Sequence, residues 1–120
     1  LGSKHIPPQP YMVEKLMEDL LINYNNRIND SNIIEIVAGF HLRFEGIHPF
    51  IDGNGRTGRL IMNFELMKAG LLPINVKYSD RNKYYDCFDE YKSTQNANGF
   101  VDLIANYEIE ELEKYIEMLN

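Results

Sequence analysis

The stretch from His48 to Arg59 holds the residues of this chain whose types and spacing could do chemistry. It reads HPFIDGNGRTGR and contains one imidazole, one carboxylate, three glycines, one asparagine and two arginines. Its glycines allow turns and a close backbone approach that a side chain would block. Because the stretch runs into a helical pattern, its amide N–H groups would lie at the positive end of a helix dipole. These features predict a cradle for a phosphate group.

The side chains of this stretch extend the prediction from a phosphate to a magnesium nucleotide. Arg56 and Arg59 are three residues apart, so they can contact neighbouring phosphate oxygens from one helix turn. Asp52 offers the oxygen ligand that Mg²⁺ prefers, and Asn54 can donate to a phosphate oxygen. Histidine titrates near neutral pH, so His48 can act as a general base. Together these residues predict phosphoryl or nucleotidyl transfer to an incoming hydroxyl group.

Three other interpretations of the stretch are disfavoured by its residues. A P-loop shares the spacing G-x-x-x-x-G, but here Arg and Leu replace its Lys and Ser/Thr, and no predicted strand precedes it. A zinc site from His41, His48 and Asp52 has no familiar ligand spacing. A purely structural glycine-rich turn is disfavoured to a similar degree. His41 falls on an apolar helix face, where a hydrogen-bonded core histidine is the favoured interpretation.

Helices are predicted on both sides of the stretch, because apolar residues recur there at three- and four-residue spacing. A first helix runs from Tyr11 into the segment 23–29. A second helix follows Asp30 and Ser31, which are good N-cap residues. It stops before Pro49, which disfavours helical backbone at the residue that precedes it. The predicted base therefore stands where the second helix ends.

A third helix is predicted over residues 56–68, after the glycine-rich turn. Apolar residues nearly encircle it, which predicts a helix buried on most sides and wrapped by the others. A fourth helix follows Ser79 or Asp80, and a final helical segment covers residues 100–119. With no strand alternation, the pattern predicts an all-α bundle around a central buried helix.

Composition and charge narrow the classes of partner. The 120 residues, 44% of them hydrophobic, suit one globular domain, and the net charge of −6 argues against a broad surface for nucleic acid or anionic membrane. No apolar run is long enough for a membrane span, no secretory leader is visible, and Cys87 has no cysteine partner. We therefore expect a cytoplasmic protein with neither nucleic acid nor membrane as a partner.

The twelve residues from His48 to Arg59 resemble the signature H-P-F-x-[DE]-G-N-G-R-x-x-R of Fic-domain proteins. Every fixed position matches, and the similarity extends to the Pro-Pro segment, to the helix that contains His41 and to the Tyr84-Tyr85 pair. The resemblance implies an all-α Fic fold with its catalytic core at residues 11–120. Residues 1–10 would form an extended segment that includes the end of a β-hairpin flap or a cloning remnant.

The resemblance also implies an activity, the transfer of AMP from ATP to a Ser, Thr or Tyr hydroxyl of a target protein. By that similarity His48 would deprotonate the hydroxyl, and Asp52 would hold Mg²⁺. The residues Gly53, Asn54 and Gly55 would cradle the phosphates. This activity is called protein adenylylation or AMPylation.

Further residues receive roles from the same resemblance. Arg56 and Arg59 would hold the β- and γ-phosphates, and Phe50 would anchor the loop inward as a structural residue. Tyr84 and Tyr85 resemble residues that line the adenine pocket, although either could equally be helix core. These tyrosines are therefore predicted nucleotide-binding residues with a packing alternative.

Several alternatives stay open on the sequence. Lys92 stands where related proteins often carry an Asn, so the donor could be UTP or CDP-choline, or the enzyme could remove AMP. The retained GNGR residues favour a nucleoside triphosphate over a Doc-like kinase, and the intact His48 weighs against a non-catalytic interaction module. The segment from Ser31 to Glu35 has the first spacing of an inhibitory motif, but Ile36 breaks it. The target and the oligomeric state, including a homodimer, are not specified.

Overall fold

The computed structural model describes residues 6–29 and 32–119. Within these residues the chain forms five α-helices and no strand, so the predicted all-α class is confirmed. Residues 1–5 of the segment that would include the flap remnant, and the predicted caps Asp30 and Ser31, lie outside the described residues. The helices are α1 (Pro10–Arg27), α2 (Ile33–Ile47), α3 (Asn54–Lys68), α4 (Arg81–Thr94) and α5 (Asn98–Leu119), with a 3-10 turn at Tyr78–Asp80.

Helix α2 is the centre of the fold. It packs against α1, α3, α4 and α5, and nine of its fifteen residues are buried. The prediction that the helix after the glycine-rich turn is wrapped by the others is therefore wrong. Helix α3 buries one face against α2, while Leu60, Phe64 and Met67 are exposed. Apolar residues encircle α3 in sequence, but a single neighbouring helix can cover only one side of it.

The apolar core consists of two clusters that share α2. One cluster joins α2 to α3, α4 and α5, and the other joins it to α1. Each of the other helices is therefore held in a fixed position relative to α2. None of the helices in the described ranges has the length and hydropathy of a membrane span. The buried residues that α2 contributes are Val37, Ala38 and Leu42 to the first cluster and Ile36, Phe40, Phe44 and Ile47 to the second.

The end of α2 and the start of α3 define the loop that lies within the stretch 48–59. Asn32 caps α2, because its side-chain oxygen accepts from the N–H groups of Ile34 and Glu35, so the cap lies beyond the predicted Asp30 and Ser31. At the other end α2 stops at Ile47, immediately before the predicted base. Helix α3 begins at Asn54, two residues earlier than predicted. The loop between the two helices is therefore only six residues long, 48–53.

Candidate functional site

His48 lies at the junction between α2 and the loop. It is the C-cap of α2, with φ 55° and ψ 59°, and its N–H donates to the carbonyl of Phe44 at 3.1 Å. A non-glycine residue in this left-handed conformation is uncommon and costs free energy, so the surrounding structure must hold it there. The side chain is half-buried. The backbone thus turns at the residue that the sequence predicted as the base.

Asn54 closes the loop with both polar atoms of its side chain. Its Oδ1 accepts from the N–H of Phe50, and its Nδ2 donates to the Phe50 carbonyl, each at 2.8 Å. Asn54 is 4% exposed, so these bonds are sheltered from water. The sequence predicted that Asn54 contacts a phosphate, but in the structure its side-chain amide bonds the loop backbone instead.

Phe50 is 51% exposed, so the prediction that it anchors the loop inward is wrong. The bonds from Asn54 to the Phe50 backbone supply the anchor instead. This contact could have been suspected from the four-residue separation of Phe50 and Asn54, since an Asn side chain can bond a nearby backbone. The position of the Phe50 ring could not have been predicted from the sequence.

Asp52 lies at the exposed tip of the loop. Its Oδ1 accepts from the N–H of Gly53 at 2.8 Å. In the described part of the chain no three His, Cys, Asp or Glu side chains form a group that could hold a metal. His41 of the disfavoured zinc site is fully buried and bonds elsewhere. A single exposed carboxylate suits Mg²⁺ when waters and phosphate oxygens complete its octahedron.

The first turn of α3 faces the loop with its backbone N–H groups. Gly53 precedes it with φ 79°, and no side chain of the described residues caps the helix. The first N–H groups of an α-helix have no partner within the helix, and the dipole adds positive potential at this end. Residues 54–56 can therefore donate to an anion. Glycine adopts a positive φ without steric cost, so Gly53 allows α3 to begin directly after the loop.

The two arginines of α3 differ in exposure. Arg56 is exposed, whereas Arg59 is half-buried. The guanidinium of Arg59 lies against the backbone of Gly55, because a Cβ built there would be 3.0 Å from its Nη1. The absence of a side chain at Gly55 therefore gives Arg59 its place beside the first turn.

Tyr84 and Tyr85 lie on α4, behind this turn. Tyr84 is buried, and its hydroxyl lies 2.7 Å from Nε2 of His41. Burial lowers the pKa of His41 to about 4, so its ring is neutral at neutral pH. Tyr85 is half-buried, with its ring 5.8 Å from that of Tyr84. These contacts favour packing for Tyr84, and the interpretation of His41 as a core histidine agrees with them.

A cavity of about 520 Å³ opens beside the last turns of α2. Four residues of α4 line it at helical spacing, so they share one helix face, and neither Tyr84 nor Tyr85 is among the lining residues. Of the residues on this face, only Lys92 was predicted from the sequence to be near the donor. The cavity is lined by Ile6, Pro8, Leu16, Asp19, Leu20, Leu42, Arg43, Glu45, Gly46, Ile47, Phe88, Asp89, Tyr91, Lys92 and Gln95.

Comparison with known proteins gives a consistent set of similarities. A family model described as the Fic/DOC family matches residues 2–66. The chain is 42% identical over 91 residues to a protein adenylyltransferase Fic of Nematostella vectensis, covering 73% of this chain and 21% of that protein. It is 39% identical over 89 residues to a probable protein adenylyltransferase of Aquifex aeolicus, covering 74% and 27%. The chain thus spans about a quarter of the length of these relatives.

Solved structures share the fold. A Fic domain containing signaling protein from Bacteroides thetaiotaomicron aligns with a TM-score of 0.85 and 25% identity, over 91% of this chain and 46% of that chain. Fic-1 from C. elegans aligns with a TM-score of 0.76 and 28% identity, over 93% of this chain and 34% of that chain.

Proposed function

The chain belongs to the Fic/DOC family, and on this premise we propose that it is the core of a protein adenylyltransferase. Such an enzyme transfers AMP from ATP to a hydroxyl side chain of a target protein. The observation that carries the proposal is the single short loop that joins His48, at the end of α2, to the uncapped first turn of α3. A base and an anion site are thereby held on the two sides of one loop.

The phosphates of ATP bind at the first turn of α3 in this proposal. The N–H groups of residues 54–56 donate to them, and Arg56 and Arg59 contribute positive charge from the same end of the helix. Asp52 would hold Mg²⁺, which neutralises phosphate charge when it is bound. Gly53 and Gly55 leave the backbone open to close approach.

The nucleoside part of ATP occupies the cavity beside α2. Its volume of about 520 Å³ falls within the range of roughly 300–1,000 Å³ typical of small-molecule sites. Phe88 and Tyr91 offer aromatic faces for a base. Glu45 lines this cavity and also lies against Gly58 of α3, so the cavity and the phosphate site are neighbours. Tyr84 and Tyr85 stay predicted nucleotide-binding residues.

The chemistry is an in-line displacement at the α-phosphorus. His48 accepts the proton of the target hydroxyl, and the hydroxyl oxygen forms a bond to the α-phosphorus. The bond from that phosphorus to the bridging oxygen of pyrophosphate breaks, and pyrophosphate leaves with the electron pair. Arg56 and Arg59 stabilise the charge on the leaving group. His48 acts from the first residue of the loop, where α2 ends.

A labelling experiment tests the proposal. The chain is incubated with a cell lysate and Mg²⁺, using ATP labelled at the α-phosphate in one arm and at the γ-phosphate in the other. We expect protein-bound label from the α-phosphate alone, and none with His48→Ala, which still binds ATP. Label from the γ-phosphate alone would indicate a kinase. Absence of both transfer and Mg-ATP binding would refute the enzyme and leave a non-catalytic interaction module.

A second candidate, a donor other than ATP, is favoured by one observation. Lys92 and Asp89 line the cavity and bring charges of both signs to the base site. Competition of unlabelled GTP, UTP and CDP-choline against labelled ATP distinguishes these donors. A cytoplasmic setting, a hydroxyl-bearing target protein and the absence of a nucleic-acid partner belong to the proposal and rest on the sequence expectations.

A further inference from the structure

A buried carboxylate, that of Glu45, lies beneath the start of α3. Glu45 is 2% exposed, and neither carboxylate oxygen has a hydrogen-bond partner among the described residues. Burying a charged or polar group without a partner costs free energy, and an apolar side chain of similar volume would often stabilise the same position. The glutamate therefore calls for an explanation other than stability.

The carboxylate of Glu45 rests directly on α3 at Gly58. A Cβ built on Gly58 would lie 2.2 Å from Oε1 of Glu45 and 3.2 Å from Cε1 of His41. Only a residue without a side chain leaves room for the carboxylate here. Helix α3 and helix α2 thus approach each other closely where the carboxylate is enclosed.

Arg59, the neighbour of Gly58, carries a positive charge that acts on this carboxylate. Burial raises the pKa of Glu45, and the positive charge of Arg59 opposes the rise. The same guanidinium opposes the rise that burial causes in the pKa of Tyr84. No ion pair within 4.0 Å joins Arg59 to Glu45 among the described residues, so their charges interact over a longer distance. An enclosed interaction of this kind is screened little by salt.

We propose that Glu45 is a positioning residue that holds Arg59 in the orientation in which it meets the phosphates of ATP. The carboxylate attracts the guanidinium from the α2 side, and the bare backbone of Gly55 receives it on the α3 side. The contact between His41 and Tyr84 lies beside the carboxylate and the guanidinium, and it fixes the position of α2 relative to α4. Preorganisation of this kind lowers the ordering cost when a ligand binds. The inference rests on the proposed role of Arg59 as a phosphate ligand.

A double-mutant cycle tests this inference. Glu45→Gln keeps the shape of the side chain and removes its charge, and Arg59→Ala removes the cation. Dissociation constants for Mg-ATP and for AMP are measured by calorimetry for the native chain, both single variants and the double variant. We expect Glu45→Gln to weaken ATP binding about 3- to 10-fold more than it weakens AMP binding, and we expect this difference to disappear in the Arg59→Ala background. Glu35→Gln, on the exposed side of α2, is the matched control.

The outcomes separate the two proposals. If Arg59→Ala weakens ATP no more than AMP, the proposed phosphate site fails, and the inference fails with it. If Arg59→Ala behaves as expected but Glu45→Gln weakens ATP and AMP equally, or keeps its full effect without Arg59, only the inference is overturned. Glu45→Met removes the same charge at similar volume and enters the same cycle if the Gln variant does not fold. Glu45→Asp retains the charge, and we expect it to restore most of the preference for ATP over AMP.

Discussion

Asn54 bonds both backbone polar groups of Phe50, the N–H and the carbonyl, at 2.8 Å each. This paired contact ties the first residue of α3 to the middle of the preceding loop. The N–H groups at the start of α3 and the turn at His48 are thereby held in one fixed arrangement. The type of this residue suggests a hydrogen-bond donor to a phosphate, but Asn54 instead sets the geometry of the site by bonding the loop backbone.

We expect Asn54→Asp to destabilise the fold by about 1–3 kcal/mol, because it replaces the Nδ2 donor with an oxygen that faces the carbonyl of Phe50. Urea denaturation measures the free energy of unfolding. Asn106→Asp, at an exposed position of α5, is the control and should change it by less than about 0.5 kcal/mol. Equal effects of the two substitutions would contradict the loop-closing role.

Substitution of His48 separates backbone strain from catalysis. The residue has φ 55°, which glycine adopts without steric cost. We expect His48→Gly to be more stable than His48→Ala by about 1 kcal/mol, while neither variant transfers AMP. Thermal unfolding and the α-phosphate labelling assay provide the two measurements. A His48→Ala chain as stable as His48→Gly would show that the left-handed turn relaxes when the imidazole is removed.

The extent of each helix and the position of the chemical stretch follow from the sequence, because both depend on local patterns. Pro49 ends α2 through sterics with its own neighbour, and the glycines of the loop permit its turns. These effects act over a few residues. The helix boundaries were consequently predicted to within about two residues where the structure describes them.

What the sequence could not predict depends on which elements meet. Apolar residues surround α3, so periodicity alone could not show that α2 covers one face and leaves Leu60 and Phe64 exposed. The burial of Tyr84 against His41, 43 residues away, requires the relative position of α2 and α4. The contact of the Glu45 carboxylate with Gly58 likewise could not be predicted, because it depends on how α2 packs against α3.

The buried His41 makes stability depend on pH. Its pKa is about 4 in the folded chain against 6.5 for the free side chain, so the unfolded chain binds the proton more readily between these values. Stability should therefore fall as the pH is lowered from 6.5 to about 4, by about 3 kcal/mol from this residue alone. Burial raises the pKa of Glu45 and Glu108, and these carboxyl groups act in the opposite direction on acidification.

The effect of His41 is isolated by comparison with His41→Gln. Urea denaturation of both chains at about pH 7, 6 and 5 gives their free energies of unfolding. We expect the native chain to lose stability relative to the variant as the pH decreases, because the carboxyl groups are common to both. Parallel curves would mean that His41 binds a proton equally well in the folded and the unfolded chain.

Asp52 should determine how strongly Mg²⁺ supports ATP binding. Asp52→Asn keeps an Oδ1 that can accept from Gly53 and removes the negative charge. We expect Mg²⁺ to tighten ATP binding to the native chain, and this gain to fall by about 10-fold or more in the variant. Calorimetric titrations with Mg²⁺ and with EDTA give the two dissociation constants. Asp102→Asn, exposed on α5, is the control; an unchanged gain in Asp52→Asn would remove Asp52 from the metal site.

The contact between Gly58 and Glu45 should limit what position 58 tolerates. A Cβ there would lie 2.2 Å from Oε1 of Glu45, a separation that requires one helix to move. We expect Gly58→Ala to destabilise the chain by about 1–3 kcal/mol, even though alanine favours a helix more than glycine does. Gly39→Ala is the control, because its Cβ would meet no described atom within 4 Å outside its own helix backbone, and it should stabilise the chain by about 0.5–1 kcal/mol.

The cost at position 58 should decrease when the carboxylate is removed. In Glu45→Ala the atom at 2.2 Å is absent, and the next nearest atoms to the new methyl belong to His41 and Phe44, each at 3.2 Å. Gly58→Ala should therefore cost less in the Glu45→Ala background than in the native chain, and the difference in the free energy of unfolding measures the coupling. Strictly additive effects would mean that α2 and α3 separate to admit the methyl group and that Glu45 does not set their distance.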